Sequence, residues 1–287
     1  MVNLPLFSAK KTLPLLLSLT IALLMGSSLL AKESFNPDEQ MVYKTVGETK
    51  LLLHVFKPEG HHASDKRPAA VFFHGGGWSK GSPSQFHPFA QHLADQGMVA
   101  LAAQYRLTKQ EGVDVCDCVA DGKSAIRWVR QHADELGIDP DRITAGGGSA
   151  GGQIAAATGN VKLFDAEGEN HSISSQPNAL ILFNPVANNS PNGFGHGGMK
   201  TFWRDMSPLH NIGESSPPTL LMNGRNDHLV PVEDIKECER RMQEAGRCCD
   251  VRLYQGAGHA FFNYKKPSYE STVADIDTFL QSLGYID

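Results

Sequence analysis

Basic charge is in short supply in this chain of 287 residues: 26 Lys and Arg stand against 31 Asp and Glu, for a formal net charge of −5 with the histidines neutral. That balance excludes nucleic acid and anionic membrane as expected partners, because both need a basic face. Linkers, internal repeats and low-complexity tracts are also missing, which argues against a string of modules and for one large core. Cysteine is sparse, with five residues, and the close pair Cys116 and Cys118 has one residue between its members, the wrong spacing for a zinc ribbon. Neither a metal nor an organic cofactor is expected. The adjacent His61 and His62 fall in a polar loop after a strand and are assigned no role.

Long apolar runs are equally scarce. The main one, residues 13–25, follows Lys10 and Lys11 and leads into the small residues Gly26, Ser27 and Ser28. It falls short of the roughly 20 residues that span a bilayer and reads as an export signal. Residues 1–31 are expected to be removed after Ala31, leaving residues 32–287 as an exported domain, periplasmic or secreted, with no stable membrane association. An uncleaved anchoring helix running to Leu30 is the alternative. An oxidising destination would favour disulfides, and Cys238 with Cys248, on and just past a late helix, is the bridge expected from proximity.

From about Met41 the pattern is two strands, then strands alternating with helices, the signature of a mainly parallel sheet with helices on both faces. Residues 69–73 and 98–103 are apolar throughout, as strands buried on both sides should be. Further strands are expected at 49–56, 142–145, 180–183, 219–223 and 251–254. Helices are expected at 88–96, 116–135 and 150–158, with two more near the C-terminus. In the second of these, Val119, Ile126, Val129 and Ala133 fall on one stripe with Gly122, which predicts close packing at that glycine. The late helix presents Ile235, Cys238, Met242 and Ala245 at helical spacing, and the terminal one Val273, Ile276, Leu280 and Leu283.

Two glycine-bracketed turns carry the chemistry. His74-Gly75-Gly76-Gly77-Trp78 follows the first buried strand, and Gly147-Gly148-Ser149-Ala150-Gly151 lies between a strand and a small-residue helix. A serine on such a turn stands clear of the sheet for attack, and the other turn can supply backbone N–H groups to the oxygen that becomes negative. His259, in Gly258-His259-Ala260 after the last strand, is placed to serve as general base and then acid. Asp227, after the strand at 219–223, can accept the other imidazole N–H. Glu233 or Asp234 could stand in for it, but both fit a helix start.

The order of elements and the two turns resemble the α/β-hydrolase family, and within it the carboxylesterases with an HGGGW turn, hormone-sensitive-lipase-like, feruloyl-esterase-like and acetyl-esterase-like. The resemblance covers about residues 41–285. It implies an α/β-hydrolase fold of about eight strands without a large lid domain, a triad of Ser149, Asp227 and His259, and an oxyanion hole from the N–H groups of Gly76, Gly77 and Ala150. The expected substrates are short acyl or aromatic acyl esters, as small molecules or as acetyl or feruloyl groups on polysaccharide. Trp78, Phe194 and Trp203 are candidates to line the substrate site. An amidase or peptidase, arylformamidase-like or prolyl-peptidase-like, could use the same triad. Residues 146–151 also fit G-x-G-x-x-G, so a nucleotide-binding oxidoreductase is the remote rival; that motif should open the first βα unit, and here several strands precede it.

Overall fold

The structure is a computed structural model that describes residues 1–3 and 34–287, with the folded body running from Phe35 to Asp287. The predicted signal segment beyond residue 3 and its cleavage site lie outside the described residues. Among the described residues, eight strands form one sheet: β1 (Glu39–Val46), β2 (Thr49–Phe56), β3 (Arg67–Phe73), β4 (Val99–Ala103), β5 (Ile138–Gly148), β6 (Ala179–Phe183), β7 (Thr219–Gly224) and β8 (Cys249–Tyr254). Their order is β1-β2-β4-β3-β5-β6-β7-β8. The β1–β2 and β2–β4 pairings are antiparallel, and every later pairing is parallel. The element order led us to expect a mainly parallel sheet with helices on both faces, and this is also the α/β-hydrolase architecture that the family resemblance implies.

Among the described residues, six α-helices accompany the sheet: α1 (His87–Asp95), α2 (Val115–Gln131), α3 (Ala150–Asn160), the single turn α4 (Trp203–Met206), α5 (Val232–Glu244) and α6 (Tyr269–Ser282). Helices α2, α3 and α5 cover one face, where Val119, Ile126, Ile154 and Ile235 join Val71 and Leu101. Helices α1 and α6 cover the other, where Phe89, Leu93, Ile276 and Leu280 meet Phe72 and Phe183. The second face is rich in aromatics: the rings of Phe72, Phe86, Phe89, Phe183 and Phe262 pack with centroids 4.7–6.4 Å apart. Burying each such ring contributes on the order of 1.5–3 kcal/mol. The first face is built for closeness instead. A Cβ on Gly122 would stand 2.3 Å from the Ile154 side chain, and one on Gly151 would stand 2.1 Å from the Phe73 carbonyl oxygen.

Three expectations are corrected. The long helix ends at Gln131 rather than 135, because His132 takes up the cap and stacks on Trp128 with centroids 4.0 Å apart. Strand β5 starts at Ile138 rather than 142, since Ile138 pairs with Arg67 before the register shifts at Ala69. The Cys238–Cys248 bridge is not formed, and all five cysteines are free. The reason is alternation along the entry to β8: Cys248 points to solvent, whereas Cys249 turns inward and shares a small apolar cavity with Cys238.

Candidate active site

Strands β3, β5, β7 and β8 run in parallel, so whatever follows their carboxyl ends collects at one edge of the sheet. Ser149 follows β5 directly, Asp227 lies three residues beyond β7, and His259 lies five beyond β8. Ser149 takes the N-cap position of α3 at φ 55°, ψ −119°, a left-side conformation costly for any residue with a Cβ. Its N–H donates to the Phe183 carbonyl at 3.0 Å, and its carbonyl accepts from Gln153 and Val186. The glycines around it are sterically required. A Cβ on Gly147 would meet the Gly151 carbonyl oxygen at 2.4 Å, and one on Gly148 would meet Phe262 at 2.2 Å.

The structure brings the three predicted side chains together. His259 Nε2 lies 2.9 Å from Ser149 Oγ, and His259 Nδ1 lies 2.8 Å from Asp227 Oδ2. A carboxylate can only accept, so Nδ1 carries the proton and Nε2 is left to accept from the serine hydroxyl. Asp227 is fully buried at its side chain. Its other oxygen accepts from the Leu229 and Val230 amides, each at 2.9 Å. Burial alone would raise the Asp227 carboxyl, but the bonds from His259, Val230 and Leu229 outweigh it and hold the group below the ordinary aspartate range. Glu233 and Asp234 both fall in the first turn of α5, and Asp234 accepts from Asn188 Nδ2 at 2.8 Å.

The glycine turn after β3 lies against this constellation. A Cβ on Gly75 would stand 3.4 Å from Ser149 Cβ, and a Cβ on Gly76, whose φ is 121°, would stand 2.0 Å from the Lys80 carbonyl oxygen. Gly77 also has positive φ, at 61°. Among the described residues no carbonyl or side chain accepts from the N–H groups of Gly76, Gly77 or Ala150, so three donors stay available beside the hydroxyl. His74 sits under the turn with its ring stacked on Tyr105, centroids 4.3 Å apart, and Nδ1 donating to the Gly75 carbonyl at 2.8 Å. Burial pushes its imidazole down to about 4, so it stays neutral; its bond to Gly75 opposes that only in part.

Trp78 is 4% exposed, holds φ 58°, and donates Nε1 to Gln153 Oε1 at 3.2 Å. Its ring packs 6.0 Å from that of Phe194, whose exposure of 39% leaves it at the surface. Trp203 is placed differently, edge-on to His210 at 4.9 Å with the Arg204 guanidinium over its ring at 5.0 Å. The segment from 188 to 198 is tied down, not loose: Asn189 is buried, its N–H donating to Ser207 Oγ and its Nδ2 to the Phe194 carbonyl. A cavity of about 290 Å³ borders His259, lined also by Gly258, Ala260, Lys266 and Ser268.

Several polar residues here were not singled out in the sequence: Gln153, Gln85, Asn184 and Asn263. Gln153 had a readable signal, since it lies four residues after Ser149 as a large polar side chain in a helix rich in alanine and glycine. It is fully buried. Asn184 Oδ1 accepts from the Ala260 N–H at 3.1 Å, across a sequence gap that no local pattern reveals.

The sheet order and the hydrogen-bonded chain of Ser149, His259 and Asp227 at the carboxyl edge of its strands define an α/β hydrolase. A family profile described as alpha/beta hydrolase fold matches residues 70–263, and the chain belongs to that family, on its carboxylesterase branch. The apo form of Thermogutta terrifontis esterase 2 superposes with a TM-score of 0.85 at 44% identity, covering 90% of this chain and 99% of that one. The butyrate-bound form of the same esterase gives 0.83 at 43% identity, covering 88% and 96%. Carboxylesterase NlhH of Mycobacterium tuberculosis is 35% identical over 128 residues, covering 42% of this chain. Esterase LipC of the same organism is 28% identical over 224 residues, covering 68%. The match spans 38% and 53% of the length of these two curated relatives.

Proposed function

We propose that the protein is an exported serine carboxylesterase acting on short-chain or aromatic acyl esters, including acetyl or feruloyl groups carried on polysaccharide. The observation that carries the reading is the 2.9 Å contact between His259 Nε2 and Ser149 Oγ, backed by buried Asp227. In the proposed mechanism Ser149 Oγ attacks the ester carbonyl as its proton passes to His259 Nε2. Asp227 stabilises the imidazolium, and the N–H groups of Gly76, Gly77 and Ala150 receive the oxyanion. The imidazolium then protonates the departing alcohol, leaving an acyl group on Ser149. Water, deprotonated by the same ring, releases the acid and regenerates the hydroxyl.

Two features favour short acyl groups. Between β6 and β7 the chain contributes only α4 and short 3-10 turns, so among the described residues no large lid segment is inserted there. The related esterase with butyrate bound shows that a close structural relative accommodates a four-carbon acid. Rates on p-nitrophenyl acetate, butyrate and octanoate should be compared with methyl ferulate, acetylated xylan, N-formylkynurenine and a proline-containing peptide. Acetate and butyrate are expected to exceed octanoate about tenfold or more in kcat/KM, the scale on which pocket size discriminates. Turnover of the amides alone would overturn the esterase reading while leaving the triad in place. Export is supported by the leader pattern and is tested by the N-terminal mass of the protein recovered outside the cytoplasm.

A further inference from the structure

Gln85 links two loops, the glycine turn after β3 and the loop after β8 that carries His259. It lies in the short turn Pro83–Phe86 leading into α1, a turn whose entry is capped by Ser82 Oγ accepting from the Ser84 N–H. Gln85 Oε1 accepts the Gly75 N–H at 2.7 Å, and Gln85 Nε2 donates to Asn263 Oδ1 at 2.9 Å. The peptide N–H can only donate, so the orientation of the amide is determined: oxygen to the glycine turn, nitrogen to the asparagine.

Each end of this bridge lies one step from a reacting group. A Cβ on Gly75 would stand 3.5 Å from Gln85 Oε1 and 3.4 Å from Ser149 Cβ, so the glycine lies beside both, and the next two residues carry the free N–H groups. Asn263 closes the histidine loop on itself, its N–H donating to the Ala260 carbonyl at 3.3 Å and its carbonyl accepting from Lys266 at 2.9 Å. Both loops also hold non-glycine residues at positive φ, Trp78 at 58° and Ala260 at 59°. Strained loop residues persist where surrounding bonds over-determine them. Gln85 hydrogen-bonds to neither Ser149 nor His259 and supplies one such bond to each loop.

We propose that Gln85 is a positioning residue that sets the spacing between the glycine turn and the histidine loop, so that the donors at 76 and 77 face the carbonyl that Ser149 attacks while His259 takes the serine proton. The inference rests on the reading of Ser149 as nucleophile. Stabilisation of a developing oxyanion is geometric and is realised in the transition state, so loosening the bridge should act on kcat and spare KM.

Gln85→Ala, Asn263→Ala and the double variant, assayed on p-nitrophenyl butyrate with melting temperatures measured in parallel, test this. Gln85→Ala is expected to lower kcat about 10- to 100-fold with KM within about threefold, the scale of an ångström-sized misplacement. Asn263→Ala should cost about 3- to 10-fold, and the double variant should be no slower than Gln85→Ala, because the bridge is already gone. Should Gln85→Ala fail to fold, Asn263→Ala alone must still show the kcat loss with KM held. A Gln85→Ala kcat within twofold of the parent, a loss confined to KM, or single effects that multiply in the double variant would each overturn the proposal. Ser149→Ala separates the two levels: full activity there removes the underlying reading, whereas an inactive Ser149→Ala beside an unimpaired Gln85→Ala removes only the role of Gln85.

Discussion

Asp121 and Asp227 are both aspartates with fully buried side chains, yet their surroundings put the two charges to different uses. Asp121 on α2 is held by two permanent cations. Arg106 forks onto it with Nε at 2.8 Å and Nη2 at 2.9 Å, the Arg106 N–H adds a third bond at 3.0 Å, and Lys44 Nζ approaches to 2.7 Å. Among the described residues no Lys or Arg pairs with Asp227; it accepts from two amides and from the His259 ring. A charge neutralised in place stabilises one arrangement of the chain. A charge held by dipoles and a titratable ring stays available to stabilise that ring when it becomes cationic.

The sharpest way to break this contrast is at the open end of the second network. Ser149→Ala should lower kcat about 10⁶-fold, the scale of other serine triads, while the melting temperature stays near the parent value; retained turnover would remove the distinction. Next comes the pair of aspartates compared directly. Asp227→Asn should cost about 10⁴ in kcat, because the amide favours the wrong imidazole tautomer. Asp121→Asn should leave kcat per folded molecule within about twofold but cost about 3–5 kcal/mol in urea unfolding, since Arg106 and Lys44 lose their counter-charge. If the two substitutions exchange effects, the comparison fails.

A smaller effect comes from His74, buried neutral under the glycine turn. Its pKa is about 4 when folded and near the ordinary 6.5 when unfolded, so below about pH 6.5 the unfolded chain binds a proton that the native state refuses. Stability should therefore fall as pH drops from about 6.5 to 4, by up to about 3 kcal/mol from this residue. His54 and His87, facing each other at 2.9 Å and both lowered by burial, push in the same direction. Urea melts of the parent and of His74→Gln at pH 7 and pH 4.5 isolate the His74 share; identical pH slopes would contradict it.

The sheet was legible because its buried strands are continuous apolar runs and because glycines punctuate their carboxyl ends. Ser149, Asp227 and His259 could be singled out for the same reason, as polar residues placed just after such strands. Strand β5 was read short because Pro140 and the charged Asp139, Asp141 and Arg142 disguise its first half, which pairs only at Ile138 before the register shift. The two amides that hold Asp227 have no signature in side-chain identity, since any residue but proline at 229 and 230 would donate equally. Gln85 and Asn263 meet across 178 positions, and neither type of residue in a loop announces a partner. The cysteine expectation rested on nearness along the chain, whereas pairing depends on which side of the backbone each thiol leaves.

The order in which this site is completed follows from the place of β8, last along the chain and at the free edge of the sheet. A polypeptide synthesised from its amino end presents the hydroxyl of Ser149 long before the imidazole of His259 exists to activate it. Under the proposed mechanism, competence arrives only when β8 docks on β7, and a nascent product that still lacks His259 is born inert.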